Sequence, residues 1–370
     1  MPDSIKYDPA GSPPSGASKK GDFIINPVGN GPTNTTGYWA MVNPGTGPYS
    51  VYLNKASNGP SIYICYSDRD LLVVTNNTAG QNYTTVAQCV SYFNGQTDKI
   101  LLQNSLLDVA GNSAFALSMR KLRSSYTGSA IRVRRSSDNA EQDIGFDALG
   151  NLDTSSLNSF CSGTNGFVRT WYDQTGNGRD ATQTTSANQP QIYKSATGIV
   201  TQNSLPSIEF SSTGTITMTG TYAVNGLNTM NLTLVGRGTQ TGNQSSARGA
   251  IYWTESGSWG SIYFGFNQDF VLGRFGTGQA NNNIGGSLSS STALRYGNQI
   301  KDSTVEYVYV NNALRTQPTS RLTPIANTNS TYNLNYGQYG CYLSEVIVWS
   351  STELAELSLI NQNIANFYSI

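Results

Sequence analysis

The chain has 370 residues, of which only 12% are charged; 22 basic and 22 acidic residues leave no formal net charge. That balance offers no electrostatic reason to bind nucleic acid or an anionic membrane. Histidine is absent, which excludes Ser-His-Asp and Cys-His catalysis and most zinc or iron sites, so enzymatic chemistry would rest on carboxylates and no metal or cofactor is expected.

In place of charge the sequence carries 22 tyrosines and 38 glycines, with many Ser, Thr and Asn residues, a habit of charge-poor β-proteins. Residues 1–36 hold Pro2, Pro9, Pro13, Pro14, Pro27 and Pro32 among glycines and serines. They read as an extended arm without a core of its own, docked on a neighbouring subunit. The start lacks the apolar stretch of a secretory signal, and no segment reaches the roughly 18 apolar residues of a membrane span.

Residues 37–103 read as a small β-rich (α+β) domain. Tyr49, Val51 and Leu53, then Ile62, Ile64, Leu72 and Val74, alternate as hairpin strands do. Val86, Cys89, Val90 and Phe93 follow at helical spacing behind Thr85 as a cap, and "DKILLQ" closes the unit as a strand. Residues 104–112 are a connector.

Residues 113–370 form the main domain. Phe115, Leu117, Met119 and Leu122, with Gly128 beyond them, predict one short helix from Ser113. Strands are predicted at 129–135, 140–146, 167–172, 190–194, 206–211, 231–236, 249–254, 261–266, 270–274, 304–310 and 342–349. Gly, Asn and Ser turns separate them, which predicts an all-β, two-sheet sandwich. The tail from Ser351 or Thr352 predicts a helix whose Leu354, Leu357, Ile360, Ile364 and Phe367 pack back on the sheet.

Cys65, Cys89, Cys161 and Cys341 have no CxxC spacing and lie among apolar neighbours. Buried free thiols are expected, a single Cys65–Cys89 disulfide being the alternative. Glycoside cleavage needs two carboxylates, and the candidates are Asp138, Asp143, Asp147, Asp173, Asp180, Glu209, Glu255, Asp269, Asp302, Glu306 and Glu345. Asp173 precedes Gln174, Thr175, Gly176, Asn177 and Gly178 in "VRTWYDQTGNGRDATQ" and is expected to hold a corner through backbone N–H bonds. Asp143, before Ile144 and Gly145, is expected to bond at a strand end. Glu255 lies in a loop between Trp253 and Trp259, an arrangement suited to stacking a sugar face beside a carboxylate. These three residues are the expected carbohydrate contacts. Arg132 and Arg134 share a strand face and are expected in ion pairs or a subunit contact.

Several of these stretches resemble the catalytic domain of fungal arabinofuranosidase B, in order over about 70 residues. They are Leu122-Arg123, Arg134-Arg135, Ser137-Asp138, Asp143 to Gly145, and Tyr172 to Gly178, with Thr175 standing where the family has serine. The resemblance implies a concanavalin A-like jelly roll. It also implies a pocket carrying two adjacent cysteines, which this sequence lacks, and a nucleophile and acid downstream of Tyr172-Asp173-Gln174 that have no match here. The expectation is therefore that the chain is no enzyme and has no catalytic residues. The same sandwich, behind a small domain reading "YSVYLNKASNGPSIY", resembles predicted structural proteins of tailed bacteriophages. That likeness implies a virion-surface decoration, head-fibre or tail-fibre module, made in the host cytoplasm. It would be a homo-oligomer, bound to other virion proteins through residues 1–103 and adhering weakly to a host-surface glycan. The alternative is an arabinofuranosidase-like hydrolase using paired carboxylates.

Overall fold

A computed structural model describes the backbone of residues 49–53, 61–67, 70–77 and 99–103. It also describes residues 105–370 except 111–112, 148–149, 213–215, 242–249, 255–261, 270, 275–286, 290–291, 304, 316–318, 321–324, 326 and 336–339. The chain divides into two units, Met1–Ser105 and Leu106–Ile370. In the first, Tyr49–Leu53, Ser61–Ser67, Asp70–Asn77 and Lys99–Gln103 form one antiparallel meander in chain order. The expected arm of residues 1–36 and the expected helix around residues 85–93 lie outside the described residues.

The second unit is an antiparallel β-sandwich. One layer runs Glu141–Ile144, Ile131–Arg135, Gly166–Trp171, Gln191–Lys194, Ile208–Phe210, Cys341–Trp349, Met230–Gly238, Arg295–Lys301 and Val305–Val310. The other runs Ala181–Thr182, Met218–Thr221, Thr331–Leu334, Ile251–Trp253, Ile262–Phe266 and Val271–Arg274. Phe210, Leu232, Leu234, Val346 and Val348 meet Met218, Trp253, Phe264, Phe266 and Tyr332 in the core between them.

A second, smaller core lies on the outer face of the first layer. There Ile347 and Trp349 pack with Leu106, Leu122 and the C-terminal helix Leu357–Tyr368 through Ile360, Ile364 and Tyr368. That helix starts later than the sequence suggests. Leu354 precedes it and is 38% exposed, and Tyr368, not Phe367, supplies the last buried side chain.

The predicted helix at 113 is a strand, Ser113–Ser118, paired with the second half of Cys341–Trp349. Its residues are buried on both faces: Phe115 and Leu117 enter the inter-sheet core, while Ala116 enters the outer one. A strand buried on both sides has no polar alternation, so its apolar run mimics a buried helix. A helix that the spacing did not reveal, Thr154–Cys161, is capped by Asp153, whose Oδ1 accepts the Ser156 N–H at 2.9 Å. Cys161 and Cys341 are buried free thiols, and burial pushes the Cys161 thiol up to about 11. No helix among the described residues is long and apolar enough to cross a membrane.

Candidate functional site

The strand Gly166–Trp171 belongs to both layers. Its first residues pair with Gln191–Lys194, while Thr170 and Trp171 pair with Thr182 and Ala181, which lead into the other sheet. Against Ile131–Arg135 the register jumps from Val133↔Val168 to Arg132↔Thr170, leaving Arg169 as the extra residue. Such a bulge bends a strand and lets it change sheets.

The chain after the bend is tied to the free edge of Ser113–Ser118. Asp173 is 4% exposed. Its Oδ1 accepts the N–H of Ala116 at 2.9 Å and of Thr175 at 3.0 Å, and its Oδ2 accepts the Arg179 N–H at 3.1 Å. The Gln174 amide accepts from the Leu122 N–H at 2.7 Å and donates to the carbonyls of Ser118 and Arg120. Asn177 Nδ2 and the Arg179 guanidinium donate to the Ala114 carbonyl. Gly176 and Gly178 have φ of +86° and +69°, values at which a Cβ would be strained. These bonds replace a neighbouring strand, giving the buried edge groups the partners they need.

On the outer side of this corner a polar cluster forms. Arg132 grips Asp143 with two bonds, Nε to Oδ1 at 2.8 Å and NH2 to Oδ2 at 2.7 Å. The Tyr172 hydroxyl donates to the same Oδ1 at 2.8 Å, and the neighbouring Gly145 carbonyl accepts the Asp153 N–H. The bond from Arg132 holds the Asp143 carboxyl below the usual range. Asp180 is its opposite. Half-buried, it accepts one backbone bond from Asp173 N at 2.8 Å, and burial, with the Asp173 charge adding, pushes its carboxyl up. The hydroxyls of Tyr172 and Tyr126 are each pushed to about 12, burial first among the causes, and both feel Asp143 and Asp180. A carboxyl held low and a carboxyl pushed up thus both act on the Tyr172 and Tyr126 hydroxyls. Glu141 and Arg169 pair at 2.6 Å on the same strands.

Of the expected carbohydrate contacts, Trp253 alone lies within the described residues. Trp253 is wholly buried, donating its indole N–H to the Tyr222 carbonyl at 2.9 Å, so its ring has no free face for a sugar. Its strand is covered on the core side, and Tyr332 lies 5.8 Å away. Glu255 and Trp259 lie outside the described residues. Of the remaining carboxylates, Glu209 pairs with Lys194 at 2.6 Å and accepts from Tyr342, and Glu345 is buried against Arg120. Among the described residues no three His, Cys, Asp or Glu side chains are grouped to hold a metal. The signal for the cluster was present in the alternation of Arg132 and Asp143 on what became adjacent strands, but their pairing could not be read without the register. Tyr126 carried no such signal.

Residues 109–261 match the family model described as alpha-L-arabinofuranosidase B, catalytic. A GH54 α-L-arabinofuranosidase soaked with a cyclic sulfate inhibitor shares the fold. Its identity is 18% and its TM-score 0.54, over 70% of this chain and 64% of that one. An arabinofuranosidase complexed with arabinofuranosyl-α-1,2-xylobiose is similar at 17% identity and a TM-score of 0.52, with the same coverage of both chains. The chain therefore spans about 64% of the length of these solved proteins. No curated protein matches it in sequence. The match corrects the reading of the chain as no enzyme. The model that fits the corner, its bulged strand and the carboxylate cluster is that of a hydrolase catalytic domain.

Proposed function

We propose that the sandwich is a glycoside hydrolase acting on furanosides, α-L-arabinofuranosides first among them. The observation that carries this reading is the catalytic-domain match over residues 109–261, which contains the Asp143–Asp180 surface. Glycosidases need one carboxyl that keeps its proton for the leaving oxygen and one that stays ionised. In this reading Asp180 is the general acid, its carboxyl pushed up by burial. Asp143 is the ionised partner, oriented by Arg132 and Tyr172. The test is release of 4-nitrophenol from 4-nitrophenyl α-L-arabinofuranoside by the full chain, by Asp180→Asn and by Asp143→Asn. Each single change should lower kcat by about a hundredfold or more, the usual loss on removing an acid–base group. Turnover that survives both changes would move the chemistry elsewhere, and a wild-type chain inert on aryl furanosides would end the proposal.

A virion setting, with attachment to other virion proteins through residues 1–103, is a separate proposal. It is supported by the Pro-rich residues 1–36 and the charge-poor composition. Its test is whether the purified full chain occupies assembled particles.

A further inference from the structure

Beyond the C-terminal helix, the outer face of the first layer carries a row of side chains that crosses the strands. Phe167, Gln191, Glu209 and Tyr342 lie opposite one another on four adjacent strands, and Arg134 and Arg237 extend the row by one strand at either end. Directly opposed residues share a face. Their chain neighbours Val133, Val168, Ile192, Ile208, Cys341 and Leu343 belong to the inter-sheet core, so the row faces outward. Phe167, Gln191, Glu209 and Tyr342 are all half-exposed.

The row has aromatic ends and a polar middle. The Arg134 guanidinium lies 5.2 Å over the Phe167 ring, and the Arg237 guanidinium 4.8 Å over the Tyr342 ring, so a cation holds each ring in place from one side. Arg134 is fixed in turn by Gln189 and Asn139, at 2.7 and 2.8 Å. Between the rings, Lys194 Nζ meets Glu209 Oε2 at 2.6 Å, and the Tyr342 hydroxyl donates to Glu209 Oε1 at 3.1 Å. The Lys194 and Glu209 side chains are 39% and 23% exposed. An ammonium, a carboxylate and the Gln191 amide therefore reach solvent beside the rings, and the two charges cancel. Three strand spacings, about 14 Å, separate Phe167 from Tyr342.

We propose that this row is a binding track for a linear neutral polysaccharide built of pentoses, and that it leads to the Asp143 cluster. A ring takes the C–H face of a sugar, while the amide and the ion pair take its hydroxyls. Two rings about 14 Å apart with polar groups between them call for an extended ligand, longer than one sugar and amphipathic along its length. A wholly apolar partner would strip water from the carboxylate and the ammonium without replacing its bonds. The track is continuous with the proposed catalytic surface: Arg134 and Arg132 share a face of Ile131–Arg135, and Arg132 grips Asp143. The choice of pentose and the delivery of substrate rest on the glycosidase reading; the track itself rests on the row.

The experiment runs the full chain on native gels containing soluble linear arabinan or polygalacturonate. Wild type is compared with Tyr342→Ala, Phe167→Ala and Gln191→Ala, with melting temperature and sedimentation recorded for each. Arabinan should retard wild type, and each substitution should weaken that binding by about fivefold or more. The KM for arabinan should rise in step with kcat kept, while the KM for 4-nitrophenyl α-L-arabinofuranoside, too short to span the row, stays unchanged. No retardation of wild type by arabinan, equal retardation of wild type and variants, or stronger retardation by polygalacturonate overturns the proposal. So does a wild-type dimer that Tyr342→Ala dissolves, since the face would then belong to a second copy. If Phe167→Ala fails to fold, Gln191→Ala decides, because it removes only a half-exposed amide. Arabinan binding that depends on these residues, without turnover of any furanoside, sinks only the glycosidase reading. Turnover of the aryl furanoside with arabinan binding indifferent to them sinks only the track.

Discussion

Replacing Arg120 by methionine should unfasten the C-terminal helix. The Arg120 side chain is 4% exposed and its partner Glu345 is 0% exposed. The guanidinium reaches Glu345 Oε2 from Nε at 2.7 Å and Oε1 from NH2 at 3.0 Å, and its third nitrogen donates to Asn363 Oδ1 of the helix at 2.6 Å. Phe367 covers it at 4.7 Å. Ser118 and Tyr368 add weaker bonds to the same carboxylate, at 2.8 and 3.3 Å. Removing the arginine leaves a buried carboxylate without its countercharge, a change that costs about 3–5 kcal/mol. At about 2–4 °C per kcal/mol for a domain of this size, the melting temperature should fall by about 6–20 °C. Urea titration followed by tryptophan fluorescence gives the free energy, and hydrogen exchange should show the amides of Leu357–Tyr368 opening first. The double change Arg120→Met with Glu345→Leu should recover most of the loss, because an apolar pair needs no countercharge. A single variant within about 1 kcal/mol of wild type, or a double variant no better than the single, would refute the reasoning.

The corner should be equally sensitive. Asp173→Ala strands the buried N–H groups of Ala116 and Thr175 and should cost about 3 kcal/mol, read by chemical denaturation. Asp180→Asn should stabilise the chain at pH 7. Folding raises the Asp180 value, so ionisation opposes the folded state above that value, and the gain should vanish below about pH 4, where both states hold the proton. If the same variant loses hydrolysis, stability and activity move in opposite directions, as expected of a strained catalytic acid. Asp143 and Asp138 have the opposite sign: Arg132 lowers the first and Arg135 brings the second to about 2. Their support is complete above about pH 4 and is lost as pH falls through the folded values, so the melting temperature should drop over that acid interval. Gly238→Ala would drive a Cβ into the Phe266 carbonyl oxygen. It should cost about 1–3 kcal/mol through overpacking, checked by thermal unfolding.

Strand positions in the sandwich were largely legible before the fold was known. The predicted 342–349 and 261–266 segments lie within a residue or two of Cys341–Trp349 and Ile262–Phe266, because alternation and turn residues are local. Ser113–Ser118 was not legible, since its paired strand Cys341–Trp349 lies more than 200 residues away and its inner face is covered by Tyr222 and Tyr332. Trp253 fell to the same limit: beside Glu255 it reads as a sugar platform, and only the packing of Tyr332 and the carbonyl of Tyr222 makes it core. Asp143 could be named as a bonding carboxylate, yet its partner Arg132 depended on the hairpin register.

By itself, the order of residues determined that this chain would build antiparallel strands, would lack imidazole chemistry and would bend near Asp173. These properties reside in side-chain type and short-range spacing. Which strands became neighbours, which carboxyl was pushed up and which was held low were decided by the tertiary structure alone. Burial and charge proximity are set by segments that meet only when the chain closes on itself.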